Sequence, residues 1–155
     1  MIIRPFRSSD ASMLATLFHE AVHVSAIKDY SLEQTNVWSP STPAPELYLT
    51  KALDRIIFVA EDSNGHVIGY GDLESNGHID HLYTSPKNVR TGVGTAIYKA
   101  IESTAREKGM VQLFVEASES ARYLFERQGF YLVNRNEFII KNVLIHNYRM
   151  SKRLD

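Results

Sequence analysis

Two glycines join a strand pattern to a helix pattern in the stretch Ser85-Pro86-Lys87-Asn88-Val89-Arg90-Thr91-Gly92-Val93-Gly94-Thr95-Ala96-Ile97-Tyr98. Beyond the glycines, apolar residues recur at helical spacing and charged residues fall between them. The recurring apolar positions are Val93, Ile97, Ile101 and Ala105. A lysine followed by Gly109 then provides a cation and a left-handed cap for the helix C-terminus. The sequence therefore predicts a helix that ends at Lys108-Gly109.

The glycines at the start of this helix are typical of an anion-binding turn. The first amide N–H groups of a helix have no acceptor inside it, and residues without a Cβ allow a phosphate to approach them. A side chain at Gly94 is therefore expected to obstruct the phosphate. A tight turn or a close helix–sheet contact explains two glycines equally well, so the pattern alone leaves both interpretations open.

Other phosphate-binding loops fit this stretch poorly. A nucleotide-triphosphate loop needs a Lys-Ser or Lys-Thr pair after its last glycine, but Gly94 is followed by Thr95-Ala96. A dinucleotide-binding fingerprint needs a third glycine in an early parallel βαβ unit, whereas this turn comes late, after hairpin patterns. Both alternatives are disfavoured.

The composition predicts one ordinary globular domain over residues 1–155, with 44% apolar and 23% charged residues. A formal net charge of -1, spread along the chain, gives no basic stripe and weighs against nucleic acid as a partner. The chain has no cysteine, which excludes disulfides and thiol catalysis. Charged residues stand where a signal peptide needs an apolar run, and no apolar stretch is long enough to span a bilayer. We expect a cytoplasmic protein that does not act at a membrane.

The N-terminal third predicts a short edge strand at residues 2–6 and a helix capped by Ser9-Asp10. His19 and His23 on that helix have a metal-like spacing but no further obvious ligand, so no metal site is predicted. A short helix is expected to lead to Trp38, before a proline-rich loop and another helix. The aromatic residues of the segment from Tyr30 to Trp38, called here the aromatic segment, make it a candidate pocket wall.

Three strand-like runs follow, at residues 56–60, 67–73 and 78–84, separated by Asn64-Gly65 and Asn76-Gly77. Two Asn-Gly turns predict an antiparallel three-stranded meander. Residues 111–116 are predicted to form a strand parallel to 78–84, because the crossover through the helix is long. A short helix at 121–128 and a strand or hairpin at 138–150 complete the chain. The fold class is α/β (α+β), with a central mixed, mostly antiparallel sheet flanked by helices.

This order of elements resembles the GCN5-related N-acetyltransferase (GNAT) superfamily over nearly the whole chain. Members carry Leu-Tyr-Val-x-Pro followed by Gln/Arg-x-x-Gly-x-Gly/Ala, where this chain has Leu82-Tyr83-Thr84-Ser85-Pro86 and Val89-Arg90-Thr91-Gly92-Val93-Gly94. Their later Ala-x-x-x-Tyr-Glu-x-x-Gly-Phe resembles Ala121 and the run Phe125-Glu126-Arg127-Gln128-Gly129-Phe130. The segment from Val22 to Trp38 further resembles a bacterial branch of uncharacterised members.

The resemblance implies acetyl transfer from acetyl-CoA to an amine, in a single-domain GNAT-like fold. The CoA pyrophosphate is expected on the turn at 89–94 and the pantetheine beside the strand at 82–84. An amide near Leu82 would then face the thioester oxygen. The implied cofactor-binding residues are Leu82, Tyr83, Thr84, Val89, Arg90, Thr91, Gly92, Val93, Gly94, Thr95, Ser118, Tyr123 and Phe125.

Two positions depart from the family pattern. Val89 replaces the usual Gln or Arg, which removes a polar side chain but leaves the backbone amides. Phe125 replaces the tyrosine that many members use as general acid, so Tyr123, water or another group is expected to supply the proton. A non-catalytic acyl-CoA-binding or sensor module is therefore the alternative to an enzyme.

An amine acceptor is protonated at neutral pH and must lose a proton before it attacks. Superfamily bases often lie on the strand before the cofactor motif, at positions that match His78 and Asp80. A histidine near its ordinary pKa suits proton transfer at neutral pH, whereas Asp80 could orient it, act through water or anchor the substrate. Such residues after a hairpin turn are equally consistent with a solvent-facing surface. His81 lies on the opposite strand face and is the weaker candidate.

The acceptor pocket is predicted between the aromatic segment and the strand ends near His78, with His23, Tyr30 and Trp38 as substrate-binding residues. The acceptor is expected to be a small-molecule or peptide amine. The sequence leaves a homodimer open.

Overall fold

The computed structural model describes every residue of the chain, 1–155, and contains two four-stranded sheets with helices packed around them. The strands are β1 Ile2–Pro5, β2 Arg55–Glu61, β3 Val67–Glu74, β4 His78–Ile79, β5 Leu82–Thr84, β6 Gln112–Ala117, β7 Tyr131–Ile140 and β8 Val143–Arg153. The helices are α1 Ala11–Glu20, α2 Leu32–Trp38, α3 Glu46–Lys51, α4 Val93–Glu107 and α5 Ala121–Arg127. The strand order is β1-β2-β3-β5 in the first sheet and β4-β6-β8-β7 in the second.

The first sheet is antiparallel throughout. Strands β2 and β3 form the predicted hairpin, in which Arg55 pairs with Glu74 and Val59 with Tyr70. Gly65 lies in their turn with a φ of 81°, a backbone region that favours glycine. β1 pairs along the other edge of β2 and is therefore an edge strand, as the N-terminal pattern predicts.

The prediction of one continuous strand at residues 78–84 is wrong, because these residues form two short strands in different sheets. β5 pairs with β3 as expected, whereas β4 pairs in parallel with β6. The buried carboxylate of Asp72 explains the break. It accepts hydrogen bonds from the backbone amides of Asp80 and His81, at 2.8 and 2.9 Å. These amides therefore bond to a side chain and not to a neighbouring strand. The predicted central sheet is therefore two sheets that diverge between β5 and β6.

Helix α4 confirms the prediction made from the glycine stretch. Its recurring apolar residues are all buried, namely Val93, Ile97, Ile101 and Ala105. Lys108 and then Gly109, with a φ of 74°, end it. A Cβ at Gly69 or Gly71 of β3 would come within 2.8 Å of a side chain of α4, so the helix lies close on the sheet. This close packing places the first turn of α4 beside β5.

The aromatic segment is fixed against the second sheet. Helix α2 begins at a capping box, in which the side chains of Ser31 and Gln34 each accept the other residue's backbone amide. Gln34 also donates to the backbone oxygen of Leu144, and the Tyr30 hydroxyl donates to that of His146. The segment therefore forms a wall that is anchored to β8 at Tyr30 and Gln34.

Strands β7 and β8 form a long C-terminal hairpin. Lys141 and Asn142 make its two-residue turn, with φ values of 47° and 67°, as a type I′ turn requires. The sequence predicts a hairpin from residue 138 onward, and in the structure the first strand already begins at Tyr131. No helix of the chain combines the length and the apolar character needed to cross a membrane.

Candidate active site

The turn before α4 is shaped to receive an anion. Gly92 is the left-handed N-cap, with a φ of 87°, and an added Cβ there would meet nothing within 4 Å. Arg90 also has a positive φ, of 61°. The amides of Val93, Gly94 and Thr95 donate to no acceptor in the protein. Free amides at the positive end of a fifteen-residue helix favour the binding of phosphate groups.

Gly94 also lies close to helix α5. A Cβ there would lie 2.9 Å from Cδ1 of Leu124 on α5 and 3.6 Å from the hydroxyl oxygen of Thr84. The missing side chain allows α4 and α5 to pack closely. A side chain at Gly94 would therefore press on Leu124 as well as enter the glycine-turn cavity described below. Gly92 is the glycine that the turn itself requires.

A cavity of about 290 Å³, called here the glycine-turn cavity, lies in front of this turn. Most residues predicted to bind the cofactor line it: Leu82, Tyr83, Thr84, Val89, Arg90, Gly92, Val93, Gly94, Thr95, Ser118 and Phe125. Thr91 and Tyr123 do not. The hydroxyl of Thr91 donates to the backbone oxygen of Asn88, and Tyr123 is half exposed and bonded to Arg122.

Strand β5 presents unpaired backbone groups to the gap between the sheets. Backbone hydrogen bonds join Asp72 to His81 and Ile68 to Ser85 across β3 and the flanks of β5. Because bonded and non-bonded pairs alternate in an antiparallel ladder, the amides of Leu82 and Thr84 point away from β3. An extended ligand could pair with them as an added strand.

A larger cavity of about 400 Å³, called here the aromatic cavity, adjoins the first. The two cavities share the lining residues Trp38, Leu82, Tyr83, Ser118, Ala121 and Phe125. Two of the three predicted substrate-binding residues, Tyr30 and Trp38, line the aromatic cavity with their rings edge to face at 5.3 Å. His23 lies outside both cavities, and its Nε2 donates to the backbone oxygen of Ser39 at 2.7 Å.

His78 lines the aromatic cavity and lies between two carboxylates. Its Nε2 is 3.0 Å from Glu116, and its Nδ1 bonds to Glu74. The hydrogen bond to Glu116, followed by the one to Glu74, raises the pKa of His78 to about 9 although burial opposes it. His78 is therefore a cation at neutral pH. The expectation of a histidine that titrates near its ordinary pKa is not met.

Asp80 also lines this cavity and is held by two cations. Its Oδ2 accepts hydrogen bonds from Lys51 at 3.1 Å and Arg55 at 2.9 Å. Burial opposes its ionisation, but His81, Lys51 and Arg55 outweigh burial and lower the pKa of Asp80 to about 2. Its Oδ1 accepts no hydrogen bond within the protein, and the side chain is 36% exposed. Asp80 is thus an ionised carboxylate with one oxygen free to contact a ligand.

His81 is a neutral member of the same polar network. Burial, and then the charge of Lys51, lowers its pKa to about 3. Its Nδ1 is 2.8 Å from the hydroxyl of Tyr70, and its Nε2 is 3.2 Å from Nζ of Lys51. The ring also stacks on Phe18, with centroids 5.2 Å apart. With both nitrogens engaged, His81 is suited to orienting its neighbours rather than to accepting a proton.

The residue at the usual general-acid position, Phe125, is almost fully buried and packs edge to face against Tyr98. It lines both cavities but cannot donate a proton. Two residues that carry hydroxyl groups, Tyr83 and Ser118, line both cavities as well. The Ser118 oxygen accepts the amide of Ala121 at 3.3 Å, while its own proton has no acceptor in the protein. Tyr83 and Ser118 thus border the junction of the cavities, whereas Tyr123 lines neither cavity.

Three charged residues of the site are missing from the sequence-based prediction. Glu116 reaches the cavity because β4 and β6 are parallel, with His78 opposite Phe114. The sequence predicts this parallel pairing, so Glu116 could have been predicted to lie near His78. Lys51 and Arg55 flank the connection from α3 to β2, and no local pattern links them to Asp80.

Comparison with known sequences identifies relatives over nearly the whole chain. The family profile described as an acetyltransferase (GNAT) domain matches residues 26–152. The uncharacterised N-acetyltransferase YafP of Escherichia coli (strain K12) is 27% identical over 148 residues, which is 96% of this chain and 93% of that protein.

Solved structures share the fold. A GCN5-related N-acetyltransferase from Rhodopseudomonas palustris has a TM-score of 0.90 and 29% identity, covering 99% of this chain and 95% of that one. PaiA N-acetyltransferase from Thermoplasma acidophilum, solved with coenzyme A, has a TM-score of 0.80 at 17% identity and 99% and 98% coverage. A phosphinothricin acetyltransferase from Sinorhizobium meliloti, solved with acetyl-CoA, has a TM-score of 0.79 at 18% identity and 99% and 88% coverage. The predicted fold class is confirmed.

Proposed function

Since the chain belongs to the GNAT acetyltransferase family, we propose that it transfers the acetyl group of acetyl-CoA to the primary amine of a cationic acceptor. The main support for this proposal is a pair of adjoining cavities. One lies in front of free helix amides, and the other is lined by Asp80 and Glu116. Acetyl donor and amine acceptor would meet at the wall that the cavities share.

The glycine-turn cavity fits the donor. The CoA pyrophosphate would accept hydrogen bonds from the amides of Val93, Gly94 and Thr95, at the positive end of α4. The pantetheine would extend along β5 and pair with the outward amides of Leu82 and Thr84. The thioester then lies at the junction of the cavities.

The aromatic cavity fits an acceptor that carries positive charge and no anionic group. Asp80 and Glu116 line it, and its lining contains neither lysine nor arginine. His78 is already bonded to two carboxylates, and the nearby Lys51 and Arg55 are bonded to Asp80. A carboxylate next to the reacting amine would be desolvated there without a partner. The aromatic side chains suit an apolar or aromatic body and also attract an ammonium group through their ring faces.

The acceptor amine must lose a proton before it attacks. With a pKa of about 2, Asp80 is suited to anchor the ammonium group rather than to hold its proton. With a pKa of about 9, His78 becomes a proton acceptor only in alkaline solution. The neutral amine nitrogen then attacks the thioester carbon and the C–S bond breaks. The second proton of the nitrogen passes to the CoA thiolate, directly or through water and the hydroxyl of Ser118 or Tyr83, so that an amide and the CoA thiol are formed. We therefore expect turnover to rise with pH through about 9, and not in the mid-acid range.

The test is the release of CoA from acetyl-CoA in the presence of tyramine or tyrosine, which differ only in the carboxylate. We expect kcat/KM to be at least about 30-fold higher for tyramine, because the cavity leaves the tyrosine carboxylate without a partner. Equal turnover of the two, or a preference for tyrosine, contradicts the proposed acceptor class. A panel of alkyl amines and a peptide N-terminus shows whether acetyl transfer occurs on another amine.

A second function, acyl-CoA sensing without catalysis, is favoured by Phe125 at the place of the usual proton donor. If the protein binds CoA but acetylates no amine of the panel, sensing is favoured over acetyl transfer. Phe125→Tyr is then the decisive variant. Turnover gained by Phe125→Tyr would show that only the proton donor is missing.

A further inference from the structure

Strand β7 has a free outer edge. It runs for ten residues, pairs with β8 alone, and receives no hydrogen bond on its other side. Outer strands of natural proteins are usually short, bulged or covered, because a free edge pairs readily with another chain. β7 carries one bulge, between Leu132 and Asn134, and is regular from there to its end. A long, regular and open edge therefore remains.

The hairpin turn determines which backbone groups of β7 point outward. Ile140 and Val143 flank the two-residue turn and form a hydrogen-bonded pair. Because bonded pairs alternate along the ladder, Arg135, Glu137 and Ile139 direct their N–H and C=O groups to the free edge.

Strand β8 confirms this alternation independently. The backbone oxygens of Leu144 and His146 lie opposite Ile139 and Glu137 in the register. Both oxygens point away from β7, because they accept hydrogen bonds from side chains of the segment 30–34. Ladder positions 137 and 139 are therefore non-bonded within the hairpin, which leaves the corresponding groups of β7 free.

The charges of β7 are complementary to those of a second β7. An antiparallel pair related by a two-fold axis at Asn136 places Arg135 of each copy opposite Glu137 of the other. An axis at Arg135 would place two arginines opposite each other, and an axis at Glu137 two glutamates. Opposite charges stabilise a cross-strand pair and like charges destabilise it. Charge therefore selects the axis at Asn136 among these three registers.

Apolar residues flank the charged centre in the same register. Ile139, which is 69% exposed, reaches the partner strand at its bulge residue Val133, which is 50% exposed. Removing such apolar surface from water favours association. Within one strand, Arg135 and Glu137 form a weak ion pair, because both are about half exposed and their charged atoms are 4.0 Å apart. Replacing this pair by cross-strand pairs in the dimer therefore costs little free energy.

We infer that two copies of the chain associate through their β7 strands into a two-fold dimer, which joins the second sheets of both copies. The interface is isologous, since the same strand is used twice. Phe138 and Ile140 line the aromatic cavity and lie in the paired stretch, so the dimer borders both acceptor sites. The inference rests on β7 alone, and its failure would leave the proposed acetyl transfer untouched.

Charge-reversal variants test the dimer and its register by sedimentation velocity over a wide concentration range. Arg135→Glu and Glu137→Arg each introduce two like-charge pairs and should weaken the dimer about tenfold or more. An equimolar mixture of the two variants should recover dimer mass, because each then meets the opposite charge. Lys99→Glu, on the exposed face of α4, is the matched control and should behave as wild type. A monomeric wild type, or a dimer that neither reversal weakens, overturns the inference.

A cysteine at the axis provides a second test, because the chain has none of its own. In the inferred dimer, residue 136 faces itself in a non-bonded pair, with Cα atoms about 4.5 Å apart, within the range of a disulfide. Asn136→Cys should form a covalent dimer under mild oxidation, and Lys99→Cys should not. Equal yields from both variants, or none from Asn136→Cys, contradict the two-fold axis.

Discussion

His78 links the stability of the site to its chemistry. It is bonded to Glu116 on β6 and to Glu74 on β3, so one protonated ring ties the two sheets together where they diverge. Glu74 also pairs with Arg55 at 3.0 Å, which connects His78 to the network around Asp80. Removing one partner of such a half-buried network leaves the remaining charges without compensation.

The raised pKa of His78 predicts a specific pH dependence of stability. Its pKa is about 9 in the folded protein against 6.5 in the reference state. The added stability is therefore fully present below pH 6.5 and is lost as pH rises through about 9. We expect this term to be on the order of 1–3 kcal/mol. The free energy of unfolding in urea should be higher for wild type than for His78→Gln at low pH, and this difference should shrink as pH rises through about 9. A constant difference contradicts a charged His78.

Helix α4 separates the roles of its two glycines at the level of the element. Gly92 and Gly65 have similar positive φ values, 87° and 81°, and an added Cβ meets nothing at either position. Gly92→Ala and the control Gly65→Ala should each lose roughly 1–2 kcal/mol of stability through backbone strain. Only Gly92→Ala should weaken CoA binding, measured by calorimetry. Equal CoA affinity in both variants argues against the turn as the phosphate site.

Gly94 is predicted to behave differently, because its Cβ would meet Leu124. Gly94→Ala should lower stability, and adding Leu124→Ala should recover part of the loss by providing space. Urea unfolding of the four proteins forms a double-mutant cycle. A coupling energy near zero would show that α4 and α5 do not pack through Gly94 as described.

Local patterns predict the elements of this fold better than the contacts between them. The helical spacing after Val93 and the Asn-Gly turn at residue 65 each indicate one element correctly, because both are properties of neighbouring residues. The break between β4 and β5 depends on a hydrogen bond from the Asp80 amide to the Asp72 carboxylate, and these residues are eight positions apart in the sequence. The charge of His78 depends on Glu116, which lies 38 residues away. Neither effect is visible in a local pattern.

The whole molecule places two cavities where its sheets diverge. The first sheet supplies β5 and the second supplies β6, while the aromatic segment around α2 closes one side. This arrangement separates the glycine-turn cavity from the aromatic cavity, which contains Asp80 and Glu116, by one shared wall. We therefore expect Asp80 to act on the acceptor and not on CoA.

The steady-state kinetics of Asp80→Asn with the best amine of the acceptor panel test this claim most directly. If Asp80 anchors the ammonium group, KM for the amine should rise at least about tenfold, with a smaller fall in kcat and unchanged CoA affinity. The control Asp54→Asn also removes a carboxylate from Arg55, but at a side chain that is 70% exposed and outside both cavities, and should keep wild-type kinetics. A fall in kcat of roughly two to four orders of magnitude with an unchanged KM would instead make Asp80 the base. Wild-type kinetics in Asp80→Asn would contradict the account.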